Sequence, residues 1–133
     1  MTQITPGTEI PPLVLPPINR TVLALFAGAS GDHNPVHIDI DFARSAGMPD
    51  VIAHGMLSMA YLGRMLTDWQ PQARLRKFSS RFAAITHVHD VIACQGKVVE
   101  IIEDNGESLA RCEIQAAKVD GEQTLIGEAL VAL

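Results

Sequence analysis

His54-Gly55-Met56-Leu57-Ser58-Met59-Ala60-Tyr61-Leu62-Gly63-Arg64-Met65-Leu66-Thr67-Asp68-Trp69 is the stretch that decides the fold. Met56, Leu57, Met59, Ala60, Tyr61, Leu62, Met65 and Leu66 surround a helix on nearly every side instead of forming one stripe. Such a helix has to be wrapped. The wrapping is written downstream, where Phe78 to Ile85, Val91 to Ile102, Leu109 to Val119 and Gln123 to Leu133 have strand-like composition. In the third of these, Ala110, Cys112, Ile114 and Ala116 alternate with Arg111, Glu113 and Gln115, so one face is apolar and the other wet. Asp104-Asn105-Gly106 and Asp120-Gly121 are turn signals between neighbouring strands and imply an antiparallel meander. The expected class is α+β: a long central apolar helix wrapped by a curved antiparallel β-sheet whose outer face meets water or a partner subunit.

Upstream of the helix the pattern is looser. The first seventeen residues carry five of the eight prolines, which predicts an extended arm with at most an edge strand around Leu13 to Leu15. Val22, Leu23, Leu25 and Phe26 mark the apolar side of a short helix from Arg20 to Ala29, which Gly28 and Gly31 help to end. A second short helix is expected over Ile40 to Ser45, before Gly47 and Pro49. With no internal repeat or linker, residues 1–133 read as a single domain. A chain of that length buries roughly two thirds of its unfolded surface, so no disulfide or metal is needed to hold it. Cys94 and Cys112 lack CxxC spacing and sit in apolar runs, where core packing is the expectation.

Composition excludes several roles. The net charge is −5, basic tracts are lacking, and one Trp and one Tyr offer little stacking, so nucleic acid is not an expected partner. Arg74, Arg76, Lys77 and Arg81 form a local basic exception that either meets ligand phosphates or is a solvated strand face. No apolar run is long enough for a membrane span, Met56 to Leu66 being broken by Gly63 and Arg64. Met1 to Gly7 lack the basic-then-apolar pattern of a secretory signal, leaving the cytoplasm as the default location.

The chemistry is concentrated in Gly31-Asp32-His33-Asn34-Pro35-Val36-His37-Ile38-Asp39. Two histidines four apart among carboxylates suggest zinc if helical, but Pro35 lies between them and no Glu adjoins the first. A rigid turn is the alternative, with Gly31 permitting the approach, Pro35 stiffening the middle and Asn34 bracing it through local hydrogen bonds. It would project Asp32 and His37 towards one point. An imidazole and a carboxylate sharing one water are suited to moving protons near neutral pH. On residue chemistry alone, a surface turn with incidental His and Asp is the commoner explanation.

Phe26 to Asp39, followed by Ala53-His54-Gly55-Met56-Leu57, resembles the signature of the MaoC-like (R)-specific enoyl-CoA hydratases and 3-hydroxyacyl dehydratases. The GDxNPxHxD core and the HGM segment carry the likeness, which extends over most of the chain. It implies the hot-dog fold, in agreement with the architecture read above. It also implies catalytic Asp32 and His37, and a Gly55 backbone N–H that polarises a thioester carbonyl. No metal and no organic cofactor are implied, coenzyme A entering as part of the substrate. The partner implied is an acyl-CoA or acyl-carrier thioester, acted on by a homodimer, a higher oligomer or a heteromer with a related subunit. The reaction implied is reversible syn hydration of trans-2-enoyl thioesters. Alternatives are a dehydratase subunit of acyl-chain elongation, a hot-dog thioesterase, or an inactive acyl-CoA-binding partner. Arg74, Arg76 and Arg81 are candidates for the phosphates of coenzyme A. His54 is expected to support the site or cap the helix, and His87 and His89 to share an exposed strand face. Two departures stand out: His89-Asp90 where many relatives carry Gly-Asp, and Gly63 where some carry a serine.

Overall fold

The computed structural model describes residues 3–133; the first two residues of the proline-rich arm lie outside it. Five strands, β1 (Glu9–Val14), β2 (Leu75–Phe82), β3 (Ile92–Asp104), β4 (Glu107–Lys118) and β5 (Gln123–Ala132), form one sheet in the order β1-β3-β4-β5-β2. Every neighbouring pair is antiparallel. Three helices, α1 (Arg20–Ser30), α2 (Ile40–Ser45) and α3 (Gly55–Trp69), lie between β1 and β2 in the chain.

Local chemistry sets the boundaries. Asp104 pairs with Glu107 across Asn105 and Gly106, both at positive φ, the two-residue hairpin that an Asn-Gly pair favours. Strand β1 begins earlier than the expected Leu13 to Leu15 because Pro11 and Pro12 are taken up in an irregularity between Ile10 and Leu13. An edge strand tolerates this, since nothing on its outer side needs the missing N–H. The second strand is likewise shifted, to Leu75–Phe82 from Phe78 to Ile85. Its basic residues fit because β2 is the opposite edge of the sheet, where charged side chains reach water.

The alternation in β4 is as expected: Ala110, Cys112, Ile114 and Ala116 are buried and Glu113 is exposed. Together with Cys94, Val98, Leu125 and Val131 they form the main core against Leu62, Met65 and Leu66 of α3. Leu62 is fully buried between helix and sheet. Leu62→Ala is expected to cost about 2–5 kcal/mol of stability, measured by urea unfolding, because the packed surroundings collapse only in part around the cavity. A smaller second cluster, built from Ile18, Leu23, Ala43, Val51, Ala53 and Leu57, supports the loop between α1 and α2.

The helix is wrapped on most sides, not all. Met56, Ala60, Arg64 and Asp68, spaced four apart, lie along a face the single chain leaves open. Strand β2 fits beside α3 through its aromatic rings. A Cβ on Gly55 would come within 2.7 Å of the Phe82 ring, and one on Gly63 within 3.3 Å of Phe78. At position 63 the Phe78 ring would have to give by a few tenths of an ångström to admit a side chain. The His89 departure has a similar reading: its φ of 77° is a left-handed conformation that glycine adopts most easily and histidine tolerates. His89 therefore sits in a turn, and His87 precedes it in an isolated antiparallel bridge to Ile52, its N–H donating to an Asp90 carboxylate oxygen. Among the described residues no helix is long and apolar enough to cross a membrane.

Candidate active site

The loop after α1 is shaped by its own polar side chains. Gly31, at φ 77°, ends the helix by donating its N–H to the Ala27 carbonyl. The Asp32 N–H donates to Ser30 Oγ (3.2 Å), and Asp32 Oδ1 accepts from the Asn34 N–H (3.2 Å). Asn34 Oδ1 in turn accepts from the Val36 N–H (3.1 Å) and caps the 3-10 turn Pro35–His37. Proline suits the first position of that turn, where its fixed φ helps and its missing N–H costs nothing. Asp39, last in the motif, caps α2 by accepting from the Asp41 and Phe42 N–H groups. One Asp32 oxygen is thus committed to the turn and the other is left over.

That second oxygen faces His37. Oδ2 lies 3.8 Å from His37 Nε2, with the Asp32 side chain 50% exposed and that of His37 12%. His37 Nδ1 is 2.7 Å from the Ile52 carbonyl oxygen, a pure acceptor. In the neutral ring the proton therefore resides on Nδ1, and Nε2 presents a lone pair beside the carboxylate.

The segment before α3 is stitched onto this loop. The Ile52 N–H donates to the Val36 carbonyl (3.1 Å), Ile52 O accepts from His37, and His54 Nε2 lies 3.2 Å from the Asp32 carbonyl. The His54 ring stacks on His37 with centroids 3.8 Å apart and planes inclined by 24°. His54 is 1% exposed and stands at the N-cap position of α3 without making a capping hydrogen bond, so the expectation of a cap is corrected. Burial pushes its pKa below the ordinary imidazole value. Gly55 follows as the first residue of the 15-residue helix. Its N–H has no acceptor within the helix and sits at the positive end of the helix dipole.

Asp32, His37 and His54 bring donor atoms within 4.8 Å of one another, a grouping that could in principle hold a metal. The stacked rings argue against chelation, because their lone pairs lie in nearly parallel planes and do not converge on one ion at the roughly 2.0–2.1 Å that zinc requires. The basic residues do not assemble either. Arg76 forks onto Glu107 (2.9 and 2.8 Å), and this guanidinium holds the Glu107 carboxyl below its usual range. Arg74 donates to Gln70 Oε1 (3.3 Å). Arg81 adjoins Phe82 in β2, so alternation turns it to the opposite side of the strand. Within one chain Arg74, Arg76 and Arg81 are thus spread along the β2 edge, as a solvated strand face would be.

Residues 3–118 match the MaoC like domain family. The chain is 32% identical over 110 residues to a 3-hydroxybutyryl-CoA dehydratase of Methylorubrum extorquens, covering 80% of this chain and 67% of that protein. It spans only 5% and 6% of the fatty acid synthase beta subunits of Cochliobolus carbonum and Saccharomyces cerevisiae that it also matches. Among solved structures, the (R)-hydratase from A. caviae superposes with a TM-score of 0.87 at 25% identity, covering 100% of this chain and 99% of that one. The R-hydratase PhaJ1 of Pseudomonas aeruginosa gives 0.85 at 28% identity, covering 97% and 82%. A five-stranded antiparallel sheet packed on a long helix, with Asp32 and His37 facing each other beside the helix start, thus has the hot-dog architecture of these proteins, and the chain belongs to the MaoC-like domain family.

Proposed function

We propose that the chain catalyses the reversible syn hydration of trans-2-enoyl thioesters to (3R)-3-hydroxyacyl thioesters. The observation that carries this is the 3.8 Å gap between His37 Nε2 and Asp32 Oδ2. It is too wide for a direct hydrogen bond, yet a water oxygen about 2.8 Å from each atom fits between them. Such a water donates one hydrogen to each acceptor, leaving its oxygen lone pairs free to attack C3.

As the C3–O bond forms, the water proton passes to His37 Nε2, and the Asp32 carboxylate stabilises the resulting imidazolium. The electron pair of the C2=C3 bond moves onto the thioester carbonyl, whose oxygen is stabilised by the Gly55 N–H. Collapse of this enolate takes the proton from His37 onto C2 and regenerates the neutral ring. Both additions come from the face that carries the pair, which makes the reaction syn. The experiment is spectrophotometric hydration of trans-2-enoyl-CoA esters, with loss of the conjugated absorbance expected.

The proposed chemistry uses no metal and no organic cofactor. Exhaustive treatment with a chelator is expected to leave kcat unchanged; loss of turnover that zinc restores would overturn this part of the proposal. A homodimer belongs to the same reading. Phe82 of the edge strand β2, Met56 of α3 and Ile85 are half-exposed. A second copy covering them would close a site that the single chain leaves open. Light scattering is expected to give twice the chain mass.

A further inference from the structure

We propose that His54 is a positioning residue for the Asp32–His37 pair, an uncharged ring that holds the Asp32 main chain through Nε2–H and fixes the plane of His37 by stacking. The proposal deepens the hydratase reading and rests on it. Its starting point is a buried polar side chain that the proton transfers do not use. His54 is 1% exposed, yet Nδ1 has no hydrogen-bond partner among the described residues while Nε2 faces the Asp32 carbonyl oxygen. Carbonyl oxygens only accept, so the proton belongs on Nε2 and the bare lone pair on Nδ1.

Each contact of the ring has a consequence for the pair. The bond to Asp32 O acts on the same residue whose Oδ1 is tied to the Asn34 N–H, so the carboxylate is held from both its main chain and its side chain. The stack on His37, 3.8 Å between centroids, and the His37 bond to Ile52 O together fix where Nε2 points. From α1, the Phe26 ring packs on His54 in a T-shaped arrangement, 4.9 Å between centroids, and restrains it further. The titratable groups facing His54 are Asp32 and His37. A charged His54 would repel the imidazolium that His37 becomes in the reaction. Burial, the largest influence on it, favours the neutral form, so the proton released by water has one imidazole to go to.

The experiment is nitrogen-15 NMR of the histidine rings in the full chain, combined with two variants. In the wild type, His54 is expected as the neutral Nε2–H tautomer titrating below a free imidazole, and His37 as the Nδ1–H tautomer. His54→Phe keeps a flat buried ring and loses the N–H; His54→Gln keeps an N–H and loses the stack. Each is expected to lower kcat by about ten- to a hundredfold with KM changed little, and to alter the His37 ring signals, as displacement of a catalytic group does. Wild-type kcat and unchanged His37 signals in either variant would overturn the proposal. So would an Nδ1–H tautomer, or ordinary titration, at His54 in the wild type, a result that holds even if the variants fail to fold. A wild type with the expected tautomers but no hydratase activity would refute the reaction and not the placement of the rings.

Discussion

Asp32→Asn and His37→Ala are each expected to lower the kcat for hydration by about 10²–10⁴-fold, the range of a positioned general acid–base group, while the fold survives. The asparagine substitution is the more telling. Asn retains an oxygen that can accept from the Asn34 N–H, so the turn persists, but the group facing His37 Nε2 loses its charge. His37→Ala removes the lone pair and leaves the Ile52 carbonyl without its partner. Because both side chains act on one water, the double variant should be scarcely worse than the poorer single one. Multiplicative losses would show that the two act on separate steps. The checks are steady-state kinetics on an enoyl-CoA ester and circular dichroism of each variant.

A comparable loss is expected when the Gly55 N–H is removed, and the structure indicates how to do so cleanly. Any side chain at this position meets the Phe82 ring, a Cβ lying 2.7 Å from two of its carbons. In a Phe82→Ala background that obstacle is gone. There, Gly55→Ala should retain most of the parent activity, whereas Gly55→Pro should lose about 10²–10³-fold in kcat, the usual effect of deleting one oxyanion donor. Proline is tolerated at the first helical position, and His54, at φ −61° and ψ 131°, already has the extended backbone that precedes proline. Equal activity in the Ala and Pro variants would remove Gly55 from the proposed mechanism. Thermal melts of the three proteins separate this effect from loss of folding.

Much of this architecture is legible in the sequence because it rests on periodicity. The apolar density of Met56 to Leu66 and the strict alternation in β4 each have a single economical solution, a helix packed on one face of a sheet. Boundaries at the edges were less legible, since β1 and β2 are placed by pairing with β3 and β5 and not by their own composition. Asp32, His37 and Gly55 stand in recognisable motifs. By contrast, the Ile52 carbonyl that sets the His37 tautomer is main chain, and no residue type announces it. His54 was visible as a histidine before a helix, but its stacking on His37 depends on how two segments far apart in sequence are laid together. The basic run is open to two readings for the opposite reason: Arg76 and Glu107 are distant in sequence, and only the fold reveals that one neutralises the other.

The most direct test of the central claim is hydration of crotonyl-CoA and longer trans-2-enoyl-CoA esters in deuterium oxide, with chiral and isotopic analysis of the product. One catalytic pair on one face of the substrate predicts a (3R)-3-hydroxyacyl product with deuterium delivered to C2 on the same face as the new hydroxyl. A (3S) product, anti addition, or release of free coenzyme A without hydration would contradict it.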